Sequence, residues 1–319
     1  MAYLVLNPKT LEADITAIRN HIEHNGPVVF SEVTNRKVTD EFTTYYATYF
    51  IDPQHGVSRQ GGQPELLATP TDFDTTQSAV KYAMLNKQNI TNFIAKYSDK
   101  YSKPEVLYVI EKPDMDSIAA IWVVNHCFGL NPNTIDKILD IHNVDCHIMP
   151  TEWNPDHIQS YEIKWTNILG AAISDFKVPI EQKVSIMEDF LVNSNLPEQY
   201  RTSVEAEWRL LQQATVETLS GITVVTSAAR GASGLIYKQA PYGIAYCNNF
   251  MGKGAKYTFM EFTAGKYLDL TGFFAYMNEH YPSEYGTFGG NVKAGIGDSY
   301  IPCELSKETV ATELAKFVL

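Results

Sequence analysis

The sequence has no closely spaced pair of cysteines. Its four (Cys127, Cys146, Cys247 and Cys303) are scattered, with no CxxC spacing. That pattern predicts free thiols in a reducing compartment rather than a disulfide framework. No apolar run approaches the roughly 20 residues a membrane helix needs. The start, MAYLVLNPKT, lacks a basic segment leading into a long apolar stretch, so no signal peptide is predicted. A cytoplasmic protein without a membrane partner is expected. There is also no dense Lys/Arg run. The chain carries 25 basic against 37 acidic residues, a formal net charge of −12. This excludes tight nonspecific binding to long duplex DNA, which needs a basic face. A local phosphate pocket, or a site for divalent cations, stays open. No internal repeat and no low-complexity tail is present.

What is there is ordinary material for a folded protein: 319 residues, 45% hydrophobic and 12% aromatic. The length allows two domains of about 150 residues each. In the first hundred residues, TLEADITAIRNHIEH has helical spacing, Asn25-Gly26-Pro27 reads as a turn and PVVFSEV as a strand. The Pro/Gly/Thr-rich stretch 51–80 reads as a long surface loop. SAVKYAMLNKQNITNFIAKYSDKY is helical. From residue 104 the pattern becomes α/β. PEVLYVI is a continuous apolar strand of the kind buried in parallel sheets. DSIAAIWVVNHCFG is a helix that Gly129 would end. IDKILDI and CHIMP are ambiguous. IKWTNILGAAISDFKVPIEQKVSIMEDFLVN is helical with a break near Pro179, and PEQYRTSVEAEWRLLQQATVETLS reads as a long amphipathic helix. From about 221 strands dominate, followed by a helix in LTGFFAYMNEHY and a glycine-rich segment. That order predicts a second, α+β domain.

The stretch EKPDMDSIAAIW places Asp114 and Asp116 where a strand turns into a helix. Two chemistries fit. Asp116 or Ser117 could cap a helix beginning at Ile118, with Asp114 in the entering turn. Alternatively, this loop lies at the C-terminal edge of a parallel sheet, where ligands bind. Aspartates at alternate positions there could hold Mg²⁺ or Mn²⁺. Asp175, in ILGAAISDFKVP, is the next acidic residue in a comparable setting. Between them LDIHNVDCH offers Asp140, His142, Asp145 and His147 as further carboxylate and imidazole donors, each of which alone also suits a solvated loop.

Near the end, GTFGGNVKAGIG holds five glycines in twelve residues. Such a segment lets backbone N–H groups approach an anion, with Asn291 and Lys293 adding donors. It also suits a simple turn. Arg230, in SAARGASGLIY, could make a bidentate phosphate contact or sit on a surface turn.

Together these stretches resemble the DHH/DHHA1 phosphoesterases, the RecJ-like group. VLYVIEKPDMDSIAAIW is similar to the family's first motif, ILGAAISDFKVP to its later Gly-x-x-x-Asp motif, and YGTFGGNVKAG to the glycine signature of its substrate domain. The resemblance covers roughly 104–319 and leaves 1–103 as an N-terminal region of unassigned fold packed on the first domain. It implies an α/β fold: a parallel-sheet DHH-like core over 104–200, a connecting helix over 201–220 and a smaller DHHA1-like domain over 221–319. It further implies Mn²⁺ or Mg²⁺ held by Asp114, Asp116, Asp175 and His142. Asp116, Glu111 and His142 would serve the chemistry. Arg230, Gly289, Gly290, Asn291 and Lys293 would hold the phosphate. The implied activity is attack of metal-activated water on a small phosphate-bearing substrate: a short oligonucleotide, a cyclic dinucleotide or polyphosphate. A homodimer is compatible with this layout. The chain departs from the family in three places. Glu111 stands near the position of the first-motif histidine, the Asp-His-His triplet is absent, and Asn291 replaces the signature histidine. These departures imply the alternative of a catalytically degenerate nucleotide-binding or structural protein on the same fold.

Overall fold

The computed structural model describes residues 1–33, 35–42, 45–52, 57–60, 63–66, 78–126, 130–145, 164–229, 242–247, 256–261, 270–281, 288–289, 296–299 and 305–318. They fall into two compact units, residues 1–148 with 164–200, and residues 149–163 with 201–319.

The first unit is α/β. Its strands are β1 (Ala2–Val5), β2 (Val28–Ser31), β3 (Thr48–Asp52), β4 (Val57–Gln60), β5 (Gln63–Leu66) and β6 (Leu107–Ile110), in the order β1-β6-β2-β3-β4-β5. The first four in that order are parallel, and β4 and β5 add antiparallel strands at one edge. Every residue of β6 and β2 is buried, which suits strands covered on both faces. Residues 1–103 therefore supply β1, β2 and β3 to the sheet that holds β6. The stretch expected as one surface loop over 51–80 includes the strands β4 and β5.

Helices α1 (Leu11–His24) and α2 (Arg36–Phe42) are tied together by the Lys37–Glu12 and Arg19–Glu41 ion pairs. Helices α3 (Ala79–Ser98), α4 (Met115–Asn125), α5 (Pro132–Asp145), α6 (Trp165–Ser174) and α7 (Ile180–Asn193) pack on one another. The β1-α1-β2 and β2-α2-β3 crossovers run one way across the sheet, and β3-α3-β6 runs back. Right-handed connections then put α1 and α2 on one face and α3 on the other. Helix α4 is buried from Asp116 to Val124, as its near-continuous apolar sequence requires. It packs between α3 and α7. Gly26 has a packing reason of its own: a Cβ there would lie 2.2 Å from the carbonyl oxygen of Glu105, so only glycine lets the two backbones pass.

The second unit is α+β. Helix α8 (Arg201–Gln212) leads into a sheet of order β11-β12-β10-β9-β8-β7, backed by α9 (Thr271–His280) and α10 (Lys307–Val318). Its strands are β7 (Thr215–Leu219), β8 (Ile222–Thr226), β9 (Tyr242–Cys247), β10 (Lys256–Glu261), β11 (Phe288–Gly289) and β12 (Ile296–Ser299). Among the described strands only the β8–β9 pair is parallel. Helix α8 stops at Gln212, short of the helix expected over 201–220, and Thr215–Leu219 is a strand. Ser220 and Gly221 join β7 to β8 with positive φ at both positions, the backbone of a tight hairpin turn. Ile222, Val224, Ile244, Phe273, Met277 and Leu314 form this unit's core.

Candidate functional site

Strand β6 delivers Glu111–Asp114 to the C-terminal edge of the sheet, and α4 starts at Met115. Asp114 is the N-cap. Its Oδ1 accepts the Ser117 amide at 2.9 Å, and Ser117 Oγ accepts the Asp114 amide at 3.1 Å. This reciprocal pair fixes the loop. The helix thus begins earlier than Ile118, and its cap is Asp114, not Asp116 or Ser117. Glu111 turns toward β2, where its Oε2 accepts the Asn35 amide at 2.9 Å and holds the entry to α2.

Asp116 is directed elsewhere. Its buried carboxylate accepts the amides of Ala79 at 2.7 Å and Val80 at 3.0 Å, capping α3 from a neighbouring helix. His142, buried on α5, reaches the same turn. Its Nδ1 lies 3.2 Å from Ser78 Oγ and its Nε2 3.3 Å from Lys81 Nζ. The Ser78 amide also donates to Nδ1 at 3.4 Å. Asp175 caps the C-terminus of α6. Its Oδ1 accepts the Lys177 amide at 2.9 Å and its Oδ2 the Tyr200 hydroxyl at 3.0 Å. These two donors hold its carboxyl below the usual carboxylate range.

The acidic residues named from the sequence thus divide into separate settings. Asp116 and His142 meet at the first turn of α3, Asp114 closes its own helix, Asp175 pairs with Tyr200, and Glu111 pairs with Asn35. Among the described residues no three His, Cys, Asp or Glu side chains group as a metal would require. Both oxygens of Asp116 and of Asp175 already accept hydrogen bonds. The described residues do not fit a Mn²⁺ or Mg²⁺ centre. Of the residues named for the phosphate, Gly289 lies in β11 opposite Asp298, beside Phe288, whose backbone is clamped from both sides by the Asn278 amide at 2.8 and 2.9 Å. Arg230, Gly290, Asn291 and Lys293 lie outside the described residues, as do His147 and the side chain of Asp145.

A cavity of about 460 Å³ opens at this edge, lined by Val5, Lys112, Asp114, Ser174, Phe176 and Lys183 among others. The volume falls within the range of small-molecule sites. The cavity adjoins the ends of β1 and β6, whose following helices leave toward opposite faces of the sheet. That is where open parallel sheets take ligands. Lys183, on α7, is 4% exposed, and among the described residues its amine has no hydrogen-bond or ion-pair partner. Burial pushes the amine below the usual lysine range, while the charges of Asp175 and Asp114 pull it partly back. Pro179 precedes α7 and supplies no side-chain cap, so the amides of its first turn are left to solvent or ligand. Lys183 lies in line with Ile180, Met187 and Phe190 on the helix's inward face. That spacing is the sequence signal that marks it as buried.

No family model matches the chain, and no curated protein matches it in sequence. Among solved structures, it is similar to a pGpG-specific phosphodiesterase, PggH from Vibrio cholerae, with a TM-score of 0.36 and 12% sequence identity. That likeness covers 67% of this chain and 78% of the other, and at this level it carries no argument about activity. No helix among the described residues is long and apolar enough to cross a membrane.

Proposed function

We propose that this protein binds a small phosphate-bearing ligand at the C-terminal edge of its parallel sheet, with the phosphate against Lys183. The single observation that carries this is Lys183, whose side chain is almost wholly buried in the wall of the cavity while its amine has no hydrogen-bond or ion-pair partner among the described residues. Asp175 and Asp114 act on this amine through their charge without pairing with it, which leaves its donors to an anionic ligand. Lys112 in the same wall and the first turn of α7 add positive potential. Asp114 offsets part of it. This is the binding-protein alternative on a DHH-like fold, and it suits a small ligand better than a long acidic polymer in a chain of net charge −12.

Metal-dependent hydrolysis is the second reading. One observation favours it: a carboxylate, Asp114, stands in the same cavity wall as Lys183. The test is calorimetric titration of the wild type and Lys183→Met with inorganic phosphate, nucleoside monophosphates and short polyphosphate, with and without Mn²⁺. Phosphate release is followed in parallel. Binding without metal, lost in Lys183→Met, is expected. Unchanged binding in that variant would sink the proposal, and Mn²⁺-dependent phosphate release would favour hydrolysis.

A further inference from the structure

Phe176 is the most exposed large apolar side chain among the described residues, at 87%, and it lines the same cavity as Lys183. Its position is not that of a loose loop. The turn that presents it is closed by the Val178 amide on the Asp175 carbonyl at 3.1 Å and by the Lys177 amide on Asp175 Oδ1 at 2.9 Å. Tyr200 anchors the same carboxylate from outside the turn. Lys177 Nζ lies 5.9 Å from the ring centroid, so the ring already neighbours one cation. A phenyl ring held in water by a hydrogen-bonded turn, at the rim of a cavity lined by Lys112 and Lys183, is placed to meet a planar group on a ligand held there.

We propose that Phe176 is a stacking platform for a nucleobase, so that the ligand is a nucleotide with its phosphate at Lys183. Inorganic phosphate and polyphosphate would use only the lysine end. The inference rests on the phosphate-binding function proposed above and adds the chemistry of the other end of the ligand. Every base presents a π-face, so stacking alone selects nucleotides over sugar phosphates without choosing among bases.

The test is titration of the full chain with adenosine and guanosine 5′-monophosphate, ribose 5-phosphate and inorganic phosphate. The wild type is compared with Phe176→Ala, Phe176→Trp and Lys183→Met. Phe176 is exposed, so its substitution leaves the core intact, and circular dichroism checks this. In the wild type both nucleotides should bind more tightly than ribose 5-phosphate. Phe176→Ala should weaken both nucleotides by about tenfold, the scale of one lost base–aromatic stack, and leave ribose 5-phosphate and inorganic phosphate unchanged. Phe176→Trp should retain nucleotide affinity. If ribose 5-phosphate binds the wild type as tightly as the nucleotides, or Phe176→Ala leaves nucleotide affinity intact, the stacking role is overturned while the phosphate site stands. If Lys183→Met leaves every affinity unchanged, or the wild type binds none of the four, the phosphate site fails and the stacking role with it.

Discussion

Asp116 Oδ2 lies 2.7 Å from the amide nitrogen of Ala79, across a separation of 37 residues. The aspartate that most resembles a metal ligand in the sequence instead caps α3, and it does so from inside the core. Both its oxygens accept amide protons, so removing it strands two buried donors at a helix start. Asp116→Ala should lower the unfolding free energy by about 3 kcal/mol, the scale of hydrogen bonds to a buried charge. Asp116→Asn should recover only part of this, because one of its two positions then presents a donor to a donor. Urea denaturation followed by far-UV circular dichroism measures both. A loss under about 1 kcal/mol for the alanine variant would contradict the capping role.

Asp114 poses the opposite case. Its hydrogen bond to Ser117 is a local cap that asparagine can also make, whereas its charge acts on Lys183. Asp114→Asn should therefore change stability by less than about 0.5 kcal/mol. It should also remove one of the two charges that sustain the Lys183 ammonium, lowering that amine's pKa further. Amine acylation followed against pH reads the change. A Lys183 titration that does not move would show that Asp114 and Lys183 are electrostatically independent.

The contrast between these aspartates shows where the sequence is legible. Strand β6 and helix α4 are plain in it, because PEVLYVI is a continuous apolar run and the Asp-x-x-Ser cap is local. Strands β4 (VSRQ) and β5 (QPEL) are polar, and one contains proline, so nothing in them signals pairing. Strand β7 was hidden because Val216 and Leu219 continue the helical spacing of α8. The β-branched Thr215, Val216 and Thr218 were the countersign. The union of residues 1–103 with β6 in one sheet is a matter of non-local pairing, which periodicity does not encode. The same holds for Asp116: its partners are supplied by another helix, and no short motif records that. Lys183 was legible in principle, since a lysine on the apolar stripe of an amphipathic helix is a positional anomaly.

Asp175 links the cavity rim to Tyr200, and this contact should be visible in its titration. The folded carboxyl sits below its ordinary value, through the Lys177 amide first and the Tyr200 hydroxyl second. A depressed carboxyl contributes stability that is present above the ordinary carboxylate range and is lost as pH falls through the folded value. Tyr200→Phe removes the second donor, so the Asp175 pKa should rise toward the ordinary range, and the acid loss of stability from this group should become smaller and be complete at a higher pH. Carboxyl-carbon NMR titration of both proteins checks the direction. A fall in the Asp175 pKa on substitution would overturn the assignment.

Lys183 should show the signature of a residue kept for binding at the expense of stability. Its side chain is almost wholly buried, its amine has no hydrogen-bond or ion-pair partner among the described residues, and burial depresses its pKa. Between the folded pKa and the higher unfolded value, the unfolded chain binds more protons, so stability rises with pH across that window. Below that window the charged amine weighs against the folded state, which takes most of the side chain out of water. Lys183→Met keeps much of the side chain's length and apolar contact while deleting the charge, so it should raise the melting temperature at pH 7. Most substitutions at sites this buried destabilise, and a gain paired with lost phosphate binding is the pattern of a functional position. The gain should shrink as the pH approaches the ordinary lysine range, where the wild-type amine is already neutral. Thermal melts of both proteins from pH 7 to 10 measure it, and a variant less stable than wild type at pH 7 would show that the lysine is instead part of the structural framework.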